Sequence, residues 1–67
     1  MPDYDLVCQT LDDLAMLIHE ARQIVEIARV GTVPGTDEAL TDIQKQALIN
    51  KWQYKKGQLI EKFKELP

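Results

Sequence analysis

The sequence predicts an all-α fold in which two helices form an antiparallel hairpin and two hairpins dimerise into a four-helix bundle. Apolar residues from position 4 to position 28 recur at alternating spacings of three and four, the pattern of a helix packed along another helix. Gly31, Pro34 and Gly35 interrupt the chain once, between two long helical stretches. A chain of 67 residues with a single cysteine cannot form an internal disulfide, so we expect a partner chain to supply part of its stability.

The first helix is predicted over residues 3–30. Pro2 and Asp3 suit its first turn, and Gly31 suits the position just after its end. Leu17 and Ile24 widen the apolar seam on one side, and Cys8 and Ala15 widen it on the other, to an arc of roughly 150°, whereas a surface helix needs about 100°. We expect this seam to hold the hairpin together: Tyr4, Val7, Leu11, Leu14, Ile18, Ala21, Val25 and Ala28.

Residues 31–40 are predicted to connect the helices, with Pro34 and Gly35 at the centre of a turn. This segment is either a plain connector or a recognition tip, since loops often carry function. The second helix is predicted over residues 41–66, before Pro67. Thr41 and Gln44 have the spacing of a capping box, and an earlier start at Thr36 or Asp37 is the alternative.

The second helix carries two apolar lines. The principal face is expected to pack on the first helix: Leu48, Ile49, Trp52, Leu59, Ile60, Phe63 and Leu66. A weaker line lies on the far side: Ile43, Ala47, Asn50, Tyr54 and Gly57. Gly57 costs about 1 kcal/mol relative to Ala in a helix. It is therefore either tolerated or required for the close approach of another backbone.

Charge is divided between the two helices. Residues 1–31 contain six acids and two arginines, a net charge of −4, and residues 41–67 contain three acids and six lysines, a net charge of +3. This division favours the antiparallel hairpin by a modest amount. Lys51, Lys55 and Lys62 form a basic stripe that could contact nucleic acid, but the chain's net charge of −3 makes this the weaker hypothesis.

No group of residues predicts catalysis. His19 has no carboxylate or thiol one turn away, and Cys8 has no basic neighbour that would activate it. Nucleotide-binding loops, nucleophile–base pairs and zinc-ligand spacings are absent from the sequence, so we expect no enzyme activity, no cofactor and no metal. The acidic N-terminal residues, the lack of a long apolar run and the free thiol favour a cytoplasmic protein without a membrane contact.

One partner helix cannot cover all the apolar surface, so the sequence predicts a homodimer that acts by binding another, unidentified protein as an adaptor, assembly factor or inhibitor. In length and layout the chain resembles the Rop-like helical-hairpin dimers, but it shares no motif with them and no RNA-binding activity is inferred. Parallel and antiparallel docking both remain open, and an obligate subunit of a larger complex is the alternative function. The predicted interface residues are Leu6, Leu17, Ile24, Ile27, Ile43, Ala47, Tyr54 and Gly57.

Overall fold

A computed structural model describes residues 3–66 and shows the predicted all-α helical hairpin. Helix α1 spans Tyr4–Val30 and helix α2 spans Asp42–Lys64. The two helices are antiparallel, since Glu20 pairs with Lys55 while the earlier Asp13 pairs with the later Lys62. The roles predicted for Pro2 and Pro67 lie outside the described residues.

Both ends of α1 are capped by local hydrogen bonds. The Asp3 carboxylate accepts a hydrogen bond from the backbone N–H of Leu6 at 3.2 Å, which satisfies a donor that the first turn leaves free. At the other end Gly31 has a φ of 81°, and its N–H donates to the Ile27 carbonyl at 3.0 Å. This left-handed conformation is accessible to glycine without steric cost, so the predicted helix stop at Gly31 is confirmed.

The connection between the helices is a loop closed by its own backbone hydrogen bonds. Thr32 and Ala39 form an antiparallel β-bridge, and the Val33 N–H donates to the Glu38 carbonyl at 2.9 Å. At its tip the Thr36 N–H donates to the Val33 carbonyl at 3.0 Å across Pro34 and Gly35. The φ of 79° at Gly35 confirms the predicted Pro-Gly turn.

The start of α2 is set by the predicted capping box. The Thr41 hydroxyl accepts from the Gln44 N–H at 3.1 Å, and the Gln44 side chain accepts from the Thr41 N–H at 2.9 Å. The alternative start at Thr36 or Asp37 is therefore wrong. The helix ends at Lys64, two residues earlier than predicted.

The hairpin is a single layer of helices with a very small core. The Cα atoms extend 53 × 19 × 11 Å, and the smallest dimension corresponds to one layer. Among residues 3–66 the buried hydrophobic side chains are Leu14, Ala21 and Leu40. Thr10 is also buried, and its hydroxyl donates to the Leu6 carbonyl at 2.9 Å. Most apolar side chains therefore retain contact with solvent.

The predicted use of the α1 seam requires a correction. Leu14 and Ala21 are buried as expected, but Leu11, Ile18 and Val25 are exposed, and so is Tyr4. Leu17 and Ile24, which the sequence predicted to contact another chain, are half-buried. Helix α1 is thus rotated about its axis, because Asp13 and Glu20 lie on the Leu17 side and pair there with lysines of α2.

The face of α2 is rotated in the same sense. Leu48, Trp52, Leu59 and Leu66 are half-buried as predicted, whereas Ile49, Ile60 and Phe63 are exposed. Lys55 and Lys62 are also half-buried, and both pair with carboxylates of α1. Leu11, Ile18, Ile60 and Phe63, all exposed, consequently lie on one side of the hairpin.

Replacing Thr41 tests whether the capping box fixes the start of α2. Thr41→Ala removes the side-chain acceptor for the Gln44 N–H and is expected to lower the free energy of unfolding by about 1 kcal/mol. Urea denaturation followed by circular dichroism measures the change. Thr41→Ser keeps the acceptor and is the control; an equal loss in both variants would contradict the role of the cap.

Candidate interaction surface

The two sides of the hairpin differ in chemistry. On one side, which we call the polar side, Lys62 Nζ lies 3.1 Å from Asp13 Oδ2 and 3.0 Å from Glu65 Oε2, and Lys55 pairs with Glu20. The aliphatic stems of these lysines cover apolar surface between the helices while their ammonium groups reach carboxylates. Gln58 lies among them, and its buried Oε1 accepts no hydrogen bond among the described residues.

The opposite side carries an apolar groove between the helices. The part of the groove near the free ends of the helices contains residues from both walls: Leu11, Leu14, Ala15, Ile18, Leu59, Ile60, Phe63, Lys64 and Leu66. Lys64 is the one charged residue of this set. Ile18 and Leu59 also line a second depression that reaches Val25 and Trp52, and near the connection it contains the charged residues Arg22, Glu26 and Arg29. The two depressions form one continuous surface, which we call the apolar groove.

The walls of the apolar groove are built by helical periodicity. Tyr4, Leu11, Ile18 and Val25 recur every seven residues and so form one row along α1. Leu11 is 49% exposed, Ile18 is 56% exposed and Phe63 on the facing wall is 67% exposed. Single exposed apolar residues are normal on a protein surface, but a contiguous row on two facing helices is typical of a binding surface.

The predicted interface residues fall into two groups. Leu17, Ile24 and Ile27 are half-buried within the hairpin, and Ile27 lines a small depression beneath the connection with Leu40 and Leu48. The exposed group consists of Leu6, Ile43, Ala47, Tyr54 and Gly57. Ala47 lines the same depression as Ile27, and none of the eight residues lines the apolar groove. Their contact with another chain stays a prediction.

Sequence reasoning assigned the residues of the apolar groove to the hairpin core. The apolar residues among them belong to apolar lines that the sequence shows, so their character was predictable but their exposure was not. The available signal was the row at intervals of seven that starts at Tyr4, which is one flank of the broad arc. The breadth of that arc left the orientation of α1 undetermined.

Two of the three lysines in the basic stripe form ion pairs within the hairpin. Lys55 and Lys62 contact Glu20 and Asp13, so a phosphate would compete with carboxylates at both. Lys51 is exposed and forms no ion pair within residues 3–66. This arrangement weighs against the stripe as a nucleic-acid surface, which stays a prediction.

His19 and Cys8 are both exposed side chains of α1. His19 Nε2 lies 3.2 Å from the Gln23 side-chain nitrogen, and Cys8 is an exposed free thiol. In the part of the chain that the structure describes, His, Cys, Asp and Glu side chains do not gather in groups of three that could hold a metal ion. Within the same residues, neither helix is apolar enough over a sufficient length to cross a membrane.

The ion pairs of Lys62 predict a pH dependence of hairpin stability. Hydrogen bonds to Glu65 and Asp13 raise the pKa of Lys62 above its ordinary 10.5. The stabilisation is therefore complete below pH 10.5, where the ammonium is charged in both the folded and unfolded chain, and it is lost as the pH rises through the raised pKa. Urea denaturation at a series of pH values tests this dependence. Above pH 10.5 the free energy of unfolding of the wild type is expected to fall more with rising pH than that of Lys62→Gln.

Lys51→Gln is the control for this experiment because Lys51 has no carboxylate partner among residues 3–66. It should retain the wild-type loss at high pH. Identical pH profiles for Lys62→Gln and the wild type would show that the ion pairs do not stabilise the hairpin.

Comparison of the chain with protein-family models, curated proteins and solved structures finds no match.

Proposed function

We propose that this chain is a small non-catalytic helical protein that self-associates and acts by protein–protein interaction, as an adaptor, an assembly factor or an inhibitor. The observation that carries the proposal is the exposed apolar groove. Its residues on α1 and α2 form a contiguous surface for which the single chain provides no cover. Burial of such a surface contributes about 25 cal/mol per Å² of apolar area.

The accessible surface area of the hairpin supports the proposal that it binds a partner of about the same size. The chain exposes 5432 Å², whereas a compact monomer of its mass exposes about 4,300 Å². The difference of about 1,100 Å² is comparable to the roughly 800 Å² that each partner buries in a standard protein interface. A second hairpin on the apolar groove would bring the exposed area close to that of ordinary folded proteins.

The single helical layer supports the same proposal. Stable domains pack at least two layers of secondary structure around a core, and here the second layer is missing. Two hairpins stacked on their grooves give a four-helix, coiled-coil-like bundle. An exposed free thiol at Cys8 persists in a reducing compartment, which favours the cytoplasm as the location.

The same exposed groove also supports the alternative of an obligate small subunit, in which a different protein supplies the second layer. The two functions differ in the behaviour of the isolated chain. A self-associating chain unfolds cooperatively with a midpoint that rises with protein concentration, whereas an obligate subunit has weak helicity alone. Thermal melts at several concentrations, followed by circular dichroism, distinguish them.

Ile18→Gln tests the proposed self-association. Ile18 belongs to both depressions of the groove, and removing its burial is expected to cost about 2 kcal/mol per copy. A symmetric dimer loses this contribution twice, so its dissociation constant should rise by about 1,000-fold. Sedimentation equilibrium measures the change. Glutamine is a better helix former than isoleucine, so the helix itself is not weakened.

Met16→Gln is the matched control, because Met16 is 65% exposed but lies beside Glu20 and Glu61 on the polar side. It should leave the dissociation constant close to that of the wild type. Equal effects of the two substitutions, or a folded wild-type monomer at high micromolar concentration, would contradict self-association through the apolar groove.

A further inference from the structure

We propose that the apolar groove binds an acidic amphipathic helix of a different protein, and that this helix competes with the second copy of the chain for the groove. The inference rests on the self-association proposed above, and it names the class of partner on which an adaptor or inhibitor of this kind would act. The shape of the groove and the charges on its walls both lead to this partner.

The apolar groove has the shape of a site for a single helix. Its walls are two neighbouring antiparallel helices, and a third helix packs between such a pair at about 8–10 Å from each. From Leu11 to Val25, which both line the groove, α1 rises about 21 Å, the length of about four helical turns. A helix with apolar side chains at intervals of three and four residues fills such a groove. The concave surface suits this cylinder better than it suits the plane of a membrane.

The charged residues that line the groove are mostly cations. Arg22, Glu26 and Arg29 line the α1 wall, and Lys64 lines the α2 wall. The groove therefore has a net charge of +2, whereas the whole chain has a net charge of −3. An apolar floor with cations on both walls is complementary to a helix whose apolar stripe is flanked by carboxylates.

The cations of the groove remain accessible to such a helix. Arg22 is exposed and forms no ion pair among the described residues. Arg29 pairs with Glu26, and Lys64 Nζ lies 3.6 Å from Glu61 Oε1; both pairs join residues three apart on one helix. The side chains of Arg29 and Lys64 are 72% and 68% exposed, and ion pairs so exposed contribute little. An incoming carboxylate can therefore contact any of the three cations.

A second copy covers the groove without neutralising it. When two grooves stack, each brings its net charge of +2 to the shared interface, and like charges there oppose the gain from apolar burial. An acidic helix covers the same apolar side chains and adds charges of the opposite sign. The two occupants exclude each other because they use the same surface, so we expect the acidic helix to displace the second copy.

Two synthetic peptides test the charge preference of the groove. The acidic peptide is a helix of about three heptads with leucine at the a and d positions and glutamate at e and g, and the control peptide has lysine in place of glutamate. Fluorescence anisotropy of each labelled peptide, titrated with the full chain, measures its affinity. The acidic peptide should bind about tenfold more tightly, since each exposed ion pair changes affinity by about two- to fivefold. Added salt should reduce this difference.

Arg22→Glu tests whether the peptide lies in the groove. This variant should bind the acidic peptide about fivefold more weakly than the wild type does, because an attraction is replaced by a repulsion. It should bind the lysine peptide more tightly, a gain that a misfolded chain would not show. Lys51→Glu is the matched control, since Lys51 is exposed and lines the depression beneath the connection instead. Equal effects of the two variants, or equal affinities of the two peptides for the wild type, overturn the inference.

Sedimentation of the wild-type chain with unlabelled acidic peptide tests the competition. The dimer should give way to a complex of one hairpin with one peptide, and a dimer that binds the peptide without dissociating overturns the competition. A dimer that binds neither peptide overturns the inference while self-association stands. A chain that is monomeric alone but binds the acidic peptide overturns self-association and leaves the assignment of the groove in place. Binding to phosphatidylglycerol vesicles without binding to the acidic peptide overturns the inference in favour of a membrane surface.

Discussion

Two helices in one layer bury only the strip along which they touch, and this constraint determines the rest of the structure. The strip of α1 contains Leu14 and Ala21, and the buried Leu40 closes its end beneath the connection. So narrow a core offsets little of the entropy of ordering 67 residues. Local interactions accordingly define both helices, through the Asp3 cap, the left-handed Gly31 and the capping box at Thr41. These define where the helices begin and end, but they do not supply a second layer.

The two sides of the hairpin differ in how much apolar surface they expose. On the polar side, lysine stems cover the inter-helix boundary and their ammonium groups are held by carboxylates of α1. Each of these pairs is partly exposed and contributes little to stability by itself. Both pairs accompany the observed rotation of α1, in which Asp13 and Glu20 face α2. The apolar side chains displaced by this rotation, Leu11 and Ile18 among them, then line the apolar groove.

The elements of the fold were predictable from the sequence because their signals are local. Gly31, the Pro34-Gly35 turn and the Thr41–Gln44 box each act within four residues, and each is found where the sequence predicted it. The orientation of the helices was not predictable, because an apolar arc of roughly 150° is compatible with several rotations. The ion pairs that accompany the observed orientation join residues 35 and 49 positions apart in the chain, and such contacts cannot be deduced from sequence periodicity. Gly57 illustrates the same limit: a Cβ added there would meet nothing within 4 Å in the single chain, so neither sequence nor hairpin packing explains it.

The connection differs in charge from the free ends of the two helices. Its β-bridge and turn hold Pro34, Thr36, Asp37 and Glu38 in a fixed arrangement at one end of the hairpin. Asp37 and Glu38 make this tip acidic, whereas the free end of the hairpin is mixed in charge: Asp3, Asp5, Glu61, Lys62, Lys64 and Glu65. A two-fold dimer with both connections at one end would have one acidic end and one mixed end, and a dimer with its connections at opposite ends would have two equivalent ends. The arrangement of the proposed bundle therefore decides whether a further protein can distinguish its two ends by charge.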